Sequence, residues 1–520
     1  MTDKIDLSLY LVTDSTPELL RGRDICTVVE DAIQGGVTIV QYRDKKSDTG
    51  VQISTAAKLH EVTKRYNVPL IINDRVDVAL AVGAEGVHLG QDDMNVREAK
   101  KILPPTSIIG VSVSSIDEAR DAVDGGASYL GIGTMFATPT KTNTKNIIGP
   151  VGTRQILGYL ASASRAIGTV AIGGINLSNV QRVIYQSRSP KKGLDGVAIV
   201  SAIFAAEDVK AAATSFSKLV TTDPPFATTL SAERPCDTLI LQKEIPGVVT
   251  KIVQAHPLCH NMINYVVANF AANVALAIGA SPIMSGYGVE AGDLSTCGGS
   301  LLINMGTMTD QSMPNYLQAI KAYNSRGSAV VLDPVGAGAT EVRKNAVKEL
   351  MAGGYFDLIK GNEGELKQIW GKTSRQHGVD SGPTTMNNRE KATMVRDLAQ
   401  KERNVVLLTG NIDYLSDGAR IFAIGNGHPL LGEVTGTGCA LGTTLTSFLA
   451  VHKSDKLLAV LSGLLMFEIA AENAAAKEYV HGPGSFVPAF LDELWSIREQ
   501  ADKGSDAWLG RKAKLQYIQL

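Results

Sequence analysis

Ala81-Val82-Gly83-Ala84-Glu85-Gly86-Val87 reads as the end of a helix, a glycine and the start of a strand. The same grammar occurs in Ala32-Ile33-Gln34-Gly35-Gly36-Val37 and in Ala122-Val123-Asp124-Gly125-Gly126-Ala127. Glycine suits the left-handed residue that stops a helix before the next strand. Working outward from these repeats, eight short apolar runs alternate with amphipathic stretches: Leu7–Thr13, Val37–Tyr42, Pro69–Asn73, Gly86–Leu89, Ile108–Ser112, Tyr129–Gly133, Val170–Gly173 and Gly196–Val200. Strand–helix alternation implies parallel pairing, and eight units in this length predict a closed (β/α)8 TIM barrel. A doubly wound open sheet is the alternative.

The pattern lapses after Ala212. Thr221-Thr222-Asp223-Pro224-Pro225 and Ser231-Ala232-Glu233-Arg234-Pro235 carry turn and extended-chain residues, which predicts a linker. The expected organisation is a barrel over 1–220, a linker over 221–239 and a second domain over 240–520. In the second domain Ser300–Asn304, Ala329–Asp333, Leu358–Lys360 and Val405–Thr409 read as buried strands between helices, giving an α/β domain with a mostly parallel sheet. Tyr265–Met284 is apolar enough to raise the question of a membrane span. Its asparagines, with Gly279 and Pro282, favour a buried core helix.

A chain of 520 residues exceeds a single hydrophobic core. Net charge −2 and 5% aromatics give no electrostatic or stacking reason to expect nucleic acid or an acidic membrane as partner. Five cysteines without a CxxC pair argue against a disulfide framework or structural zinc. The start lacks a signal-peptide pattern, so a cytoplasmic protein is expected.

In a parallel barrel the carboxyl ends of the strands share one face. Gln41, Arg43 and Lys45 follow strand two; Asn73 and Asp74 follow strand three; His88 and Asp93 lie at strand four. Ser112 ends strand five, and Thr138, Thr140 and Lys141 follow strand six. Gly173-Gly174 and Val200-Ser201 close strands seven and eight. Asp74 and Asp93 offer hard oxygen ligands of the kind Mg²⁺ prefers. The glycine and amides after strands seven and eight suit a phosphate. His88 on its own in an apolar strand would usually be a satisfied core histidine.

Gln41-x-Arg43-x-Lys45, Asn73-Asp74-x-x-Asp77, His88-x-Gly90-Gln91-Asp92-Asp93, Gly110-Val111-Ser112 and Gly173-Gly174-Ile175 resemble thiamine-phosphate synthase along nearly the whole first half. The resemblance implies that Gln41, Arg43, Lys45 and Asn73 contact an aminopyrimidine diphosphate. It assigns Asp74 and Asp93 to Mg²⁺, and Ser112 and Lys141 to the diphosphate. Thr138, Thr140, Gly174, Val200 and Ser201 would hold a thiazole phosphate. The family's Pro-Thr-x-Thr-Lys stands here as Ala137-Thr138-Pro139-Thr140-Lys141, and Ser187–Lys192 reads as an insertion on the non-catalytic face.

Gly436-Thr437-Gly438-Cys439 follows Pro429–Thr435, read as extended, and precedes Ala440–Val451, a good helix. Amides at such a helix start can surround a phosphoryl group. The same position would favour a Cys439 thiolate, making a base role available. No G-x-x-x-x-G-K-[ST] sequence is present, which disfavours a P-loop kinase. His260–Phe270, Gly279–Met284, Leu332–Thr340, Gly361-Asn362-x-x-Glu365 and Val434–Cys439 resemble hydroxyethylthiazole kinase, of the ribokinase-like fold. The resemblance implies that Met284 and Gly436 line a thiazole site and that Arg343 and Thr409 bind ATP. Asn362 and Glu365 would organise Mg²⁺ and phosphates. Cys439, standing where many ribokinase-like enzymes place an aspartate, would take the alcohol proton or orient it. Kinases of this family assemble as trimers around intersubunit sites, so a homo-oligomer is implied.

Together the halves resemble the bifunctional thiamine-biosynthesis enzymes of fungi. One half would make hydroxyethylthiazole phosphate from hydroxyethylthiazole and ATP, and the other would join it to aminopyrimidine diphosphate. The alternative is that only one half is catalytic and the other is a binding or regulatory module. A different barrel–kinase pair, such as a pyrimidine kinase, is disfavoured by Asn73 and Cys439.

Overall fold

The computed structural model describes residues 5–136, 147–163, 165–227, 235–371 and 386–520. It divides into two compact units, Met1–Pro224 and Pro225–Leu520. In the first, β1 (Leu9–Val12), β2 (Ile39–Tyr42), β3 (Leu70–Asn73), β4 (Gly86–Leu89), β5 (Ile108–Val113), β6 (Tyr129–Gly133), β7 (Gly168–Ile172) and β8 (Gly196–Ile199) pair in parallel in chain order. β8 returns to β1, with Leu9 opposite Val197, so the sheet is a closed barrel and not a doubly wound sheet. Each observed strand overlaps an expected run. Gly83 (φ 67°) and Gly126 (φ 87°) cap the preceding helices in the left-handed conformation, as the repeat requires.

Period-two alternation along the strands separates two cores. Tyr10, Ile39, Ile71, Tyr129, Val170 and Ala198 fill the barrel interior, while Leu11, Val40, Ile72 and Val87 pack outward against helix residues such as Val28, Val29, Ala56 and Leu59. The segment Ser187–Lys192 leads into β8 and so meets the barrel at the amino end of that strand, away from the carboxyl face.

The second unit has nine strands: β9 (Leu258–Met262), β10 (Ser281–Met284), β11 (Ser300–Asn304), β12 (Val330–Asp333), β13 (Leu358–Gly361), β14 (Val405–Leu408), β15 (Asp413–Ser416), β16 (Ile421–Ile424) and β17 (Leu515–Tyr517). They form one sheet in the order β10-β9-β11-β12-β13-β14-β15-β16-β17. The first six are parallel and the last three antiparallel.

Two local expectations are corrected. Tyr265–Met284 is not one core helix: the helix Ala268–Ile278 stops at Gly279 (φ 96°), and β10 follows. β10 is an edge strand, where Pro282 can stand without interrupting a ladder. Pro429–Leu431 forms a 3-10 turn, so Pro429–Thr435 is not extended. Among the described residues one helix, Lys456–Ala475, is long and apolar enough to cross a membrane. Leu457–Leu461, Leu464–Phe467 and Ile469–Ala471 lie buried in the second unit's main core.

The stretch read as linker contains an anchor. Phe226 is buried in the second unit and stacks on Tyr355 with ring centroids 4.6 Å apart. Its carbonyl accepts a hydrogen bond from Lys456 Nζ at 3.1 Å, and the same ammonium lies 2.6 Å from Asp357 Oδ1.

Candidate active sites of the two units

The parallel barrel gathers the strand ends around a cavity of about 180 Å³. Gln41, Arg43, Asn73, His88, Ser112, Gly174, Val200 and Ser201 all line it. These are eight of the residues expected there. Arg43 is held by Asp14, Nη1 to Oδ2 3.1 Å, and its backbone N–H donates to Thr13 Oγ1 at 3.0 Å. Lys45 Nζ lies 2.6 Å from Asp74 Oδ2. Asp74 stands in the left-handed region at φ 62°, and its carboxylate neighbours that of Asp93. Asp93 accepts the Gly90 N–H at 2.7 Å. Burial first, and then the adjacent Asp74, push the Asp93 carboxyl above its ordinary range. Two crowded carboxylates with a lysine beside them form a hard-oxygen site that a divalent cation would relieve. Thr138, Thr140 and Lys141 lie outside the described residues.

On the other wall Gly173 (φ 105°) and Gly174 (φ 65°) turn the chain after β7. A Cβ on Gly173 would lie 2.4 Å from Thr134 Cγ2, so no larger residue fits there without displacing the wall. His88 is a buried cavity-lining residue, bonded to Tyr129 through Nδ1 and to Ser112 through Nε2, each at 2.9 Å.

In the second unit the site forms where parallel strands end beneath the helix Thr437–Val451. Gly436 precedes that helix at φ 89°, and a Cβ there would lie 2.3 Å from Val267 Cγ2. Asn304, Asp333 and Lys360, at the ends of β11, β12 and β13, converge below it. Lys360 Nζ is 3.1 Å from Asp333 Oδ1, and Asn304 Nδ2 donates to Asp333 Oδ2 at 2.9 Å. Burial works against the Lys360 ammonium, but Asp333, Cys439 and Glu365 hold its affinity for the proton above the ordinary value. Asn264 Nδ2 donates to Asn304 Oδ1 at 3.1 Å and to Cys439 Sγ at 3.4 Å.

The Cys439 thiol is pushed up to about 11, by burial and by the nearby Asp333. Burial thus works against the thiolate that the helix start would favour. Glu365 is pushed up to about 7 by burial and Asp333. It forms a capping box with Asn362 at the helix Glu363–Trp370, and its other oxygen accepts Gly336 N–H at 2.9 Å. Arg343, expected at ATP, donates Nη1 to the carbonyls of Met305 (2.6 Å) and Val335 (2.7 Å) and Nη2 to that of Gly306 (2.8 Å). It ties together the loops after β11 and β12. Met284 ends β10 and is half-buried; Thr409 follows β14 and donates its backbone N–H to Gly361 O at 2.9 Å.

Residues 9–203 match the family model described as thiamine monophosphate synthase, and residues 249–500 match the hydroxyethylthiazole kinase family. The probable thiamine biosynthetic bifunctional enzyme of Schizosaccharomyces pombe is 41% identical over 99% of this chain and 99% of its own length. The chain belongs to the bifunctional thiamine biosynthetic enzymes. The thiamine biosynthetic bifunctional enzyme of Saccharomyces cerevisiae is 35% identical over 95% of this chain and 96% of its own. The thiamine-phosphate synthase of Chloroflexus aurantiacus is 47% identical over 42% of this chain and 94% of its own. This bifunctional enzyme thus carries a thiamine-phosphate synthase in its first unit and a hydroxyethylthiazole kinase in its second.

The sequence reading of this bifunctional enzyme missed Asp14 and, in the kinase unit, Asn264, Asn304, Asp333 and Lys360. Asp14 follows β1, as Arg43 follows β2, so the strand-end rule that found Arg43 also reaches it. Asp333 and Lys360 end strands that were correctly read; a lysine in that place gives no local sign of being buried.

Proposed function

We propose that the second unit transfers the terminal phosphoryl group of ATP to the hydroxyl of hydroxyethylthiazole, and that the first unit consumes the product. There the carbon–oxygen bond to diphosphate in an aminopyrimidine diphosphate breaks with both electrons leaving on oxygen, the thiazole nitrogen captures the resulting pyrimidinylmethyl cation, and thiamine phosphate forms. The observation that carries this reading is the barrel cavity. It sets a cation at Arg43 and the turn at Gly174 and Ser201 around one space, while Lys45 and the carboxylate pair Asp74 and Asp93 follow β2, β3 and β4 at the same strand ends. A leaving diphosphate needs the cation and the carboxylate pair, and a phosphorylated acceptor needs the turn.

In this reading Gln41 and Asn73 bind the pyrimidine, while Arg43, Lys45, Ser112 and Lys141 bind the diphosphate. Thr138, Thr140, Gly174, Val200 and Ser201 bind the thiazole phosphate. Asp74 and Asp93 would hold Mg²⁺, which supplies charge neutralisation to a departing diphosphate. Asp14 holds the Arg43 guanidinium at the cavity wall.

In the kinase unit Met284 and Gly436 border the thiazole, and Thr409 with the loops tied by Arg343 borders ATP. Lys360 supplies the cation for the transferring group, and Asn362 and Glu365 shape the phosphate end. Cys439 orients the alcohol as a neutral thiol, with Asn264 donating to its sulfur. Phosphoryl transfer depends mainly on position and charge, so it tolerates a weak base. Exposed Tyr265, Val266, Tyr287 and Val289, following β9 and β10, support assembly of a homo-oligomer through this unit. The cytoplasm is the proposed location.

The deciding experiment supplies hydroxyethylthiazole, ATP and Mg²⁺, with aminopyrimidine diphosphate added second. Thiazole phosphate should accumulate first and thiamine phosphate only after the addition. Failure of one step alone, with thiazole phosphate supplied directly for the second, would make the failing unit a binding or regulatory module.

A further inference from the structure

Five side chains from five strands form a continuous hydrogen-bonded chain through the barrel interior. Gln41 Nε2 on β2 donates to Tyr10 Oη on β1 at 2.9 Å, and Tyr10 Oη lies 2.6 Å from Tyr129 Oη on β6. Tyr129 Oη meets His88 Nδ1 on β4 at 2.9 Å, and His88 Nε2 meets Ser112 Oγ on β5 at 2.9 Å. Gln41, His88 and Ser112 line the cavity, whereas Tyr10 and Tyr129 are buried at 1% and 0% exposure. Gly110 stands in register with both His88 and Tyr129. A Cβ there would lie 2.1 Å from Tyr129 Cζ, so the missing side chain is what lets the ring reach the histidine.

A phenol and a neutral imidazole each carry one proton on their bonding atoms, so such a chain has a sense. Burial holds both phenols protonated. Because Gln41 donates to Tyr10, Tyr10 gives its own proton to Tyr129, and Tyr129 gives its proton to His88 Nδ1. The imidazole proton then sits on Nε2 and is donated to Ser112 Oγ. What the chain leaves unused at the cavity-lining residues is the hydroxyl proton of Ser112 and, on Gln41, the carbonyl oxygen beside the second amide N–H.

We propose that Tyr10 and Tyr129 are positioning residues that fix this sense, so that the cavity offers a donor to an anion at Ser112 and an acceptor to an N–H group at Gln41. The proposal rests on the synthase reading, since an aminopyrimidine diphosphate carries an amino group at one end and an anion at the other. The opposite sense would present an amide N–H to the amino group and a hydroxyl without a free proton to the diphosphate, mismatching both. The glycine at 110 and the two tyrosines therefore act on specificity without touching substrate.

The test uses the full-length enzyme labelled with ¹⁵N-histidine, with the His88 resonances assigned by their loss in His88→Asn. In the wild type His88 is expected to carry its proton on Nε2. Tyr129→Phe should remove the Nδ1 bond, alter that signature and lower the coupling kcat about tenfold or more. A thermal transition of the first unit within a few degrees of wild type should report that the barrel has folded, and the kinase rate of the same variant should stay within about twofold. Gly110→Ala, which keeps every polar group but displaces the ring, should reproduce the loss. In a Ser112→Ala background Tyr129→Phe should cost much less, because the two act through one path. An Nδ1-protonated or doubly protonated ring in the wild type, near-normal coupling in Tyr129→Phe, or additive losses would each overturn the proposal. Absence of coupling in the wild type would sink the synthase reading instead, while the tautomer would still decide the sense of the chain.

Discussion

Lys360 and Asp333 form a buried ion pair, Nζ to Oδ1 3.1 Å, where β13 and β12 end under the helix Thr437–Val451. The ammonium lies 3.8 Å from where a Cβ on Gly438 would stand, so it faces the glycine turn that opens the helix. Lys360→Met should therefore remove the cation from the transferring phosphoryl group and leave Asp333 without its counter-charge. The kinase kcat should fall roughly 10²–10³-fold, and the second unit should lose about 3–5 kcal/mol of stability. Coupling of supplied thiazole phosphate should persist at a temperature where the variant remains folded. Kinase turnover near wild type would remove Lys360 from the site.

Cys439 tests how the alcohol is handled. With its thiol pushed up to about 11, a thiolate base would make the kinase rate climb about tenfold per pH unit between roughly pH 7 and 9. An orienting thiol leaves kcat nearly flat over that range, which is the expected result. Cys439→Asp should retain kinase activity and Cys439→Ala should lose much of it. Equal behaviour of the two variants would end the assignment.

In the barrel, Arg43→Ala and Asp93→Ala should each abolish coupling while the kinase rate and the thermal transition of the second unit stay unchanged. The reason is electrostatic: one removes the cation over the cavity, the other half of the carboxylate pair. Near-normal turnover of either variant with saturating substrates would move the site elsewhere.

Asp413 and Glu468 form a second buried carboxylate pair, beside the turn that follows Thr409, where Asp413 Oδ1 accepts the Gly410 N–H at 2.8 Å. Burial pushes Asp413 up to about 6, and burial together with Asp413 pushes Glu468 well above its usual range. Both groups bind protons more tightly folded than unfolded. Their stabilisation is present at low pH and is lost as pH rises from about 4 through about 6 and beyond. Glu468→Gln should accordingly raise the melting temperature by a few degrees at pH 8, with the gain shrinking towards pH 5. A gain that grows on acidification would contradict the sign.

The barrel was legible because its information is local: each strand is an apolar run between a glycine stop and a polar end. The closed parallel topology then does the gathering, which is why Gln41, Asn73, His88, Ser112 and Ser201 could be placed on one face from sequence. β15, β16 and β17 were not legible. β17 has three residues, and it pairs with Phe422–Ile424, more than ninety positions away in the chain, a choice that no local periodicity records. Tyr10 and Tyr129 were hidden for another reason. A tyrosine inside an apolar strand reads as packing, and only its hydroxyl's neighbours reveal a polar role. The tie that Arg343 makes to three loop carbonyls was equally hidden, since its partners lie on two separate loops.

Phe226 makes the choice of cutting point between the two activities unequal. A kinase fragment begun at residue 240 would discard the ring that covers Tyr355 and the carbonyl that receives Lys456, exposing the Lys456–Asp357 pair at its rim. One begun at Pro225 keeps its own plug. A cut that leaves the second unit whole therefore falls before Phe226, because part of the peptide that joins the halves belongs to the fold of one of them.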